Sequence, residues 1–134
     1  MHEKTIVYII DDDDSMLRAM KRLILSAGLE ARIFASGADF INSKFRDQNA
    51  CIVADIKMPG MSGIELQQKL VERDFKLPII FITGFDTAKT RRQAMKNGAS
   101  GYFRKPVDDQ ELLDAIQLAL THCHKNKDKS RRQT

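Results

Sequence analysis

Side chains able to bind a metal ion or a phosphoryl group follow each of four short hydrophobic runs. They are Asp11 and Asp12 after residues 6–10, Asp55 after residues 51–54, Thr83 after residues 79–82, and Lys105 shortly after residues 101–103. Short apolar runs separated by longer amphipathic stretches are typical of parallel strands joined by helices. Because ligands of an open parallel sheet bind at the carboxyl ends of its strands, we expect these five side chains to converge on one crevice.

Three carboxylates in one crevice would repel one another unless a cation lay among them. Carboxylate oxygens are the ligands that hard divalent cations take in proteins. The grouping of Asp11, Asp12 and Asp55 therefore predicts a site for such a cation at the carboxyl edge of the sheet.

Strand and helix patterns alternate five times along the chain, which predicts an α/β domain of (βα)5 type. We place strands near residues 5–10, 30–34, 51–54, 78–83 and 101–104, and helices near residues 15–27, 37–46, 63–73, 87–97 and 108–123. The helix near 87–97 is unusual, because its only apolar residues are Ala88, Ala94 and Met95. So little apolar area predicts weak anchoring to the rest of the domain.

Four motifs occur in order along the chain: Ile9-Ile-Asp-Asp12, the stretch from Asp55 to Gly63 with Met58-Pro59, Phe81-Ile-Thr-Gly84, and Gly101-Tyr-Phe-Arg-Lys-Pro106. At these separations they resemble the receiver domain of bacterial two-component response regulators, over about residues 4–122. Thr83-Gly84 and the run Asp11–Asp14 look most like the FixJ-like branch of that family. The resemblance implies a doubly wound, flavodoxin-like, five-stranded parallel sheet with strand order 2-1-3-4-5.

The resemblance also assigns roles to the acidic residues. Asp55 would be the phosphorylated carboxylate, and together with Asp12 it would bind Mg²⁺ directly. Asp11 would act through a coordinated water, and the backbone carbonyl of Lys57 would be a further protein ligand. A carboxylate can attack phosphorus, and such transfer depends mainly on positioning and charge neutralisation. These residues predict a Mg²⁺-dependent phospho-acceptor that modifies only itself, not an enzyme with an external substrate.

Thr83 and Lys105 would bind the phosphoryl oxygens, Thr83 through its hydroxyl and Lys105 as a point charge. Tyr102 stands three positions before Lys105, where the family has its switch aromatic. Inward movement of Thr83 would open space for Tyr102 and remodel the face formed by the fourth helix, the fifth strand and the fifth helix. The family also has a cis peptide at the position of Lys105-Pro106.

Two further side chains bear on the lifetime of the phosphorylated state. In the family, the residues two positions after the nucleophile and two after the threonine line the path of the hydrolytic water. Here they are Lys57 and Phe85, and neither supplies a general base. The sequence therefore predicts slow self-dephosphorylation. The alternative is that both side chains point to solvent and have little effect.

A haloacid-dehalogenase-like phosphatase is the main alternative from a different functional class. It also has Asp-x-Asp after its first strand, here Asp11 and Asp13, followed later by a Thr and a Lys, and its nucleophile would be Asp11. That family needs another acidic strand end after its lysine, whereas only a helix and a tail are expected after Lys105. The phosphatase hypothesis also leaves Asp55 and Met58-Pro59 unexplained.

Two metal sites of other kinds are disfavoured. A calcium loop beginning at Asp11 needs Gly at its sixth position and Glu at its twelfth, where this chain has Met16 and Arg22. The cluster His122-Cys123-His124 occupies adjacent helix positions, which point in different directions. Cys51 lies in a predicted buried strand, and we expect it to be a small core hydrophobe.

The charge of the chain is concentrated at its end. The formal net charge is +4, and residues 125–134 carry five basic side chains and one acidic one, so the rest of the chain is formally neutral. Because this segment has no apolar residue it cannot bury a face. We assign residues 1–123 to the receiver domain and residues 124–134 to a basic disordered tail or linker.

The 134 residues suit one domain, and the chain has no long apolar run and no signal peptide. We therefore expect a cytosolic protein with no membrane partner. The expected partners are a sensor histidine kinase, a C-terminal DNA-binding output domain beyond this chain, and a second copy of the chain after phosphorylation. The sequence leaves open both a truncated transcription factor and a stand-alone receiver.

Overall fold

The computed structural model describes residues 4–132, with side chains described through Thr121. The strands are β1 (Ile6–Ile10), β2 (Glu30–Phe34), β3 (Ala50–Ala54), β4 (Ile79–Thr83) and β5 (Gly101–Arg104). The helices are α1 (Asp14–Ser26), α2 (Gly37–Ile41), α3 (Gly63–Glu72), α4 (Ala88–Lys96) and α5 (Asp109–Arg132). Among the helices described, none combines the length and the apolar character that crossing a membrane requires.

The five strands form one parallel sheet in the order β2-β1-β3-β4-β5. This confirms the predicted doubly wound α/β fold and its strand order. From β1 the chain passes to the edge strand β2 and then returns across β1 to β3, so the winding direction reverses between β1 and β3. Ligands bind at this reversal in folds of this type. Ile10 and Ala54 are paired there, which brings the residues that follow them side by side.

Helices cover both faces of the sheet. On one face α1 and α5 contribute the buried side chains Leu17, Met20, Ile24, Leu112, Ile116 and Ala119. On the other face α2, α3 and α4 contribute Phe40, Ile64, Leu66, Leu70 and Ala94. Every residue of β1, β3 and β4 is buried, which explains why these runs are continuously apolar. Cys51 in β3 is fully buried, as predicted.

All five helices begin at a side chain that accepts a hydrogen bond from a backbone N–H of the first turn. Asp13 caps α1, and Thr87 caps α4. Ser62 caps α3 in a capping box with Glu65. Each such cap stabilises its helix by about 1 kcal/mol.

The second helix ends earlier than the sequence predicts, at Ile41 instead of near residue 46. The reason is aromatic packing, because the ring of Phe45 stacks on Phe40 with 4.3 Å between centroids. The loop is also held to β1, where the Tyr8 hydroxyl accepts a hydrogen bond from the N–H of Arg46 at 2.9 Å. These two contacts replace the last turns of the predicted helix.

The fifth helix extends further than predicted, to Arg132 instead of residue 123. No Gly or Pro follows residue 123, so nothing in the local sequence stops the helix. The side chains of residues 122–132, and residues 133–134 altogether, lie outside the described part of the chain. The hypothesis about His122-Cys123-His124 therefore falls outside it, and the division between domain and tail at residue 123 stays a prediction.

Candidate functional site

Backbone hydrogen bonds carry the sheet ladders into the residues that follow the strands. They run from the N–H of Asp11 to the carbonyl of Phe34 (3.1 Å), from Asp55 to Ile10 (2.9 Å), and from Lys105 to Thr83 (2.8 Å). The chain is therefore still paired where each functional side chain leaves the backbone. This pairing places Asp11, Asp55 and Lys105 at one edge of the sheet.

One ammonium group joins two of the carboxylates. Lys105 Nζ lies 3.0 Å from Asp11 Oδ2 and 3.3 Å from Asp55 Oδ2. Asp11 is 2% exposed and Asp55 is 8% exposed, so both ion pairs are largely shielded from water. The other oxygen of Asp55 accepts from the Ile56 N–H at 2.8 Å, and that of Asp11 accepts from the Asp13 N–H at 2.9 Å. Both carboxylates are thereby oriented before any ligand binds.

The acidic side chains fit a divalent cation. One carboxylate oxygen from each of Asp11, Asp12 and Asp55 lies within 4.8 Å of the others. Asp12 is exposed, whereas the other two are buried. The single ammonium of Lys105 leaves an excess of negative charge, and Mg²⁺ takes oxygen ligands while keeping several waters. The donor set therefore suits Mg²⁺, and the carbonyl of Lys57 lies in the same loop, two residues after Asp55.

Asp55 and Lys105, which form one of these ion pairs, both have shifted pKa values. Burial raises the pKa of Asp55, the charge of Asp11 raises it further, and Lys105 offsets part of the rise. Burial by itself would lower the pKa of Lys105, but its hydrogen bonds and charge interactions with Asp11 and Asp55 outweigh this and raise the pKa. The ammonium therefore stays charged, and a cation among the carboxylates would relieve the repulsion between Asp11 and Asp55.

Thr83 ends β4 and is fully buried. Its hydroxyl oxygen accepts a hydrogen bond from the Phe85 N–H at 2.9 Å, so the hydroxyl hydrogen is available to another acceptor. Within the described residues, no hydrogen bond joins the Thr83 side chain to Asp55 or Lys105. The Thr83 side chain is thus bonded to the loop between β4 and α4, whereas the side chains of Asp11 and Asp55 are bonded to Lys105.

Lys57 and Phe85 come from the loops after β3 and β4, and they contact each other. Lys57 Nζ lies 4.5 Å from the centroid of the Phe85 ring, which is within the range of a cation–π interaction. Phe85 is nevertheless 56% exposed. The two side chains therefore join the acceptor loop to the loop of Thr83. Their effect on the lifetime of a phosphorylated state stays a prediction.

Tyr102 is half-buried on β5 and lies against α4. The guanidinium carbon of Arg91 is 5.0 Å from its ring centroid, and Arg91 is 3.7 Å from the carboxylate of Asp86. The Tyr102 hydroxyl is shielded from solvent and makes no hydrogen bond of ordinary geometry to a described residue, although Asp86 is close enough to act on it. Burial raises the pKa of Tyr102 to about 12, and Asp86 adds to the rise.

Gly63 and Gln67 hold the surroundings of the site through contacts that sequence reasoning did not predict, although it placed Gly63 in a motif. A Cβ atom at Gly63 would lie 2.3 Å from the carbonyl oxygen of Asp55, so only glycine lets α3 begin this close to the acceptor. Gln67 is 2% exposed, and its Nε2 donates to the carbonyl of Ala94 at 2.9 Å. A signal existed, because Gly63, Gln67 and Leu70 are spaced i, i+4, i+7 on one face of a helix.

Comparison with known proteins places the chain in a family. It matches the model of the response regulator receiver domain over residues 7–117. It is 39% identical over 128 residues to nodulation protein W of Bradyrhizobium diazoefficiens, which covers 96% of this chain and 56% of that protein. It is 35% identical over 120 residues to the transcriptional regulatory protein FixJ of Azorhizobium caulinodans, which covers 90% of this chain and 57% of that protein.

A solved structure agrees with this relationship. The response regulator StyR, known at low resolution, superposes with a TM-score of 0.88 and 37% identity over 98% of this chain and 66% of that chain. The similarity to FixJ agrees with the branch that Thr83-Gly84 and Asp11–Asp14 indicate. The chain spans about half the length of the curated relatives it matches. The family match, the strand order and the acidic residues at the strand ends all agree, and this chain belongs to the response regulator receiver domain family of two-component systems.

Proposed function

We propose that this receiver domain is a phospho-acceptor switch. Asp55 takes a phosphoryl group, with Mg²⁺, from the phosphohistidine of a sensor histidine kinase or from a small phosphodonor. The phosphorylated state alters the face formed by α4, β5 and α5 and thereby controls an output domain or another partner. The observation that carries the proposal is the meeting of Asp11, Asp12, Asp55 and Lys105 at the carboxyl ends of the strands.

Asp55 supplies the nucleophile. One of its oxygens bonds to phosphorus while the bond from phosphorus to the donor nitrogen breaks, and the leaving imidazole keeps that electron pair. The Lys105 ammonium, 3.3 Å from Asp55 Oδ2, is placed to pair with the oxygens of the arriving phosphoryl group. Mg²⁺, held by the three aspartates and the Lys57 carbonyl, would neutralise charge on those oxygens.

Thr83 and Tyr102 would convert this local charge into a change of surface. To donate to a phosphoryl oxygen, the Thr83 side chain has to turn toward Asp55, which disturbs its bond to the Phe85 N–H. That disturbance acts on the loop that leads into α4, and α4 touches Tyr102 through Arg91. Tyr102 can then enter the space that Thr83 leaves, which is a two-state equilibrium biased by one charge.

The output of the switch is inferred from the relatives. Three of them are named as transcriptional regulatory proteins: TdiR of Thauera aromatica, FixJ of Azorhizobium caulinodans and DctD of Pseudomonas aeruginosa. This chain covers between 25% and 57% of their lengths. We infer that it controls a DNA-binding output domain, with phosphorylation-dependent pairing of two copies as one route. A cytosolic location is part of the same proposal.

Mass spectrometry tests the acceptor assignment. After incubation with Mg²⁺ and a small acyl phosphate or phosphoramidate, the wild-type chain should gain one phosphoryl group and Asp55→Asn should gain none. Asp14→Asn is the matched control, because Asp14 is an exposed partner of Arg18 outside the crevice. It should be labelled like the wild type.

The same experiment separates the receiver from the phosphatase alternative. Unchanged labelling of Asp55→Asn would contradict the proposal. Labelling lost only in Asp11→Asn, together with turnover of a generic phosphomonoester, would favour the phosphatase. Membership of the receiver family supports loss of labelling in Asp55→Asn.

A further inference from the structure

One buried hydrogen bond joins the C-terminal end of α4 to α3. Gln67 Nε2 donates to the carbonyl oxygen of Ala94 at 2.9 Å, and Gln67 is 2% exposed. All residues of α4 are described, and Ala94 is the only one of them that is buried. The same carbonyl accepts from the Ala99 N–H at 3.0 Å, which closes the end of the helix. The C-terminal end is therefore where α4 is attached most firmly to the body of the domain.

The helix that carries Gln67 is itself fastened to the acceptor loop. The Gly63 N–H donates to the carbonyl of Ile56 at 2.8 Å, immediately after Asp55. The backbone of Gly63 also lies so close to the carbonyl of Asp55 that a Cβ atom there would approach it to 2.3 Å. Gln67 follows Gly63 by about one helical turn. Gln67 thus connects α3, which is fixed to the loop after β3, to α4, which is weakly buried.

The N-terminal end of α4 is held by contacts that a change at Thr83 would disturb. The Phe85 N–H is bonded to the Thr83 hydroxyl, and Arg91 lies over the ring of Tyr102. These side chains belong to the loop and surface that the proposed switch remodels. The two ends of α4 therefore differ: one depends on the state of the site, and the other depends on Gln67.

We propose that Gln67 is a positioning residue that makes the C-terminal end of α4 a pivot. The proposal rests on the proposed function, because it concerns how a change at Thr83 is passed on. With the Ala94 carbonyl held, displacement of the loop before α4 tilts the helix about that point. The N-terminal half then moves against β5 while the C-terminal half keeps its place. Without the bond, the whole helix shifts or frays and the movement loses its direction.

Two buried polar atoms, one on Gln67 and one on Asn97 shortly after Ala94, have no hydrogen-bond partner among the described residues. Gln67 Oε1 and Asn97 Nδ2 are shielded from solvent and bond to no described residue. One is an acceptor and the other a donor, and Asn97 follows Ala94 by three positions, on the same side of the helix. The junction therefore keeps one unused acceptor on α3 and one unused donor at the C-terminal end of α4.

Amide hydrogen exchange in the unphosphorylated chain tests the anchor. Gln67→Met keeps the length of the side chain but cannot donate, and Gln68→Met changes its exposed neighbour on α3 in the same way. Amides of residues 97–99 should exchange about fivefold faster in Gln67→Met, after correction for global stability, and at wild-type rates in Gln68→Met. Gln67→Leu, which also lacks a donor, should behave like Gln67→Met. Wild-type rates at 97–99 in both Gln67 variants would overturn the anchor.

NMR chemical-shift changes on phosphorylation test the pivot. In the wild type, large changes should be confined to residues 84–91, with small changes at 94–99. In Gln67→Met they should spread through 94–99, whereas Gln68→Met should match the wild type. Changes spread evenly over both halves of wild-type α4 would overturn the pivot. Mass spectrometry on the same samples reports Asp55 labelling. A wild type that is not labelled would reject both the proposed function and the pivot. The amide exchange rates would still test whether Gln67 anchors α4, because they are measured without phosphorylation.

Discussion

The loop after β3 and the loop after β4 leave the same edge of the sheet, and they are fastened to very different degrees. After β3, Asp55 is bonded to Lys105, and α3 begins in backbone contact with Asp55 at Gly63. After β4, the Thr83 hydroxyl is bonded to the Phe85 N–H, and Phe85 itself is 56% exposed.

The helices that follow continue the contrast. The residues of α3 that are buried are Gly63, Ile64, Leu66, Gln67 and Leu70, whereas α4 buries Ala94. Each large aliphatic side chain that is fully buried contributes about 1.5–3 kcal/mol, so α3 is anchored by several kcal/mol more than α4. Phosphoryl transfer requires fixed positions, and a switch requires a segment that can move at little cost. The two ends of this crevice therefore match the two needs that the proposed phospho-acceptor switch would have.

The largest expected effect concerns the metal. Asp12→Ala removes one of three clustered carboxylates and should weaken Mg²⁺ binding by about 100-fold. Calorimetry or NMR is the suitable measurement, because the chain has no Trp and only two Tyr residues. Asp14→Ala, an exposed acid in the first turn of α1, is the control. Removal of residues 125–134 should also leave Mg²⁺ affinity and phosphorylation unchanged. Wild-type Mg²⁺ affinity in Asp12→Ala would show that the metal ligand is another residue.

Two glycines test the difference in fastening directly. Gly63→Ala forces a Cβ atom to 2.3 Å from the Asp55 carbonyl and should lower the free energy of unfolding by about 2–3 kcal/mol. Gly84→Ala places its Cβ 3.9 Å from the Lys105 side chain, which is ordinary contact, and should change it by less than about 0.5 kcal/mol. Urea unfolding followed by circular dichroism gives both values. Equal losses would mean that the two loops are fastened alike.

The contact between the two loops should set the lifetime of the phosphorylated state. Phe85→Glu and Lys57→Asn remove the cation–π pair and introduce an acid or amide that can orient a water, so we expect faster decay in each and the fastest in the double variant. Lys69→Asn, an exposed change on α3, should decay like the wild type. The measurement is loss of the phosphoryl group with time by mass spectrometry. A double variant within a factor of about two of wild type, or about 0.4 kcal/mol, would show that these side chains do not control the water.

The smallest effect is a pH dependence at Tyr102. The pKa of Tyr102 is about 12 in the folded chain, above its usual value, because the hydroxyl is buried. The unfolded chain therefore loses this proton first, and the contribution of Tyr102 to stability falls as pH rises from about 10 to about 12. The free energy of unfolding of Tyr102→Phe should depend less on pH over that window. Ultraviolet titration of the two proteins, with Tyr8 common to both, measures the difference, and an ordinary pKa for Tyr102 would show that its hydroxyl is solvated.

The sequence by itself determined the order of the elements and the chemistry at their ends. The runs in β1, β3 and β4 are apolar because both faces of these strands are covered, and this local property is visible without a structure. Asp11, Asp55 and Lys105 could be placed at one edge because parallel strands end on the same side. The weak burial of α4 was also a local property, and that prediction is confirmed.

Contacts between residues far apart in the chain were decided only by the tertiary structure. The predicted last turns of α2 are lost in part because the Arg46 N–H bonds to the Tyr8 hydroxyl, 38 positions away, and no local pattern reports that contact. Gly63 is required by the carbonyl of Asp55, and Gln67 finds its acceptor 27 positions away on α4. Periodicity tells which side of an element is covered, but the partner that covers it depends on how the elements pack. This packing is what anchors α3 firmly and leaves α4 weakly buried.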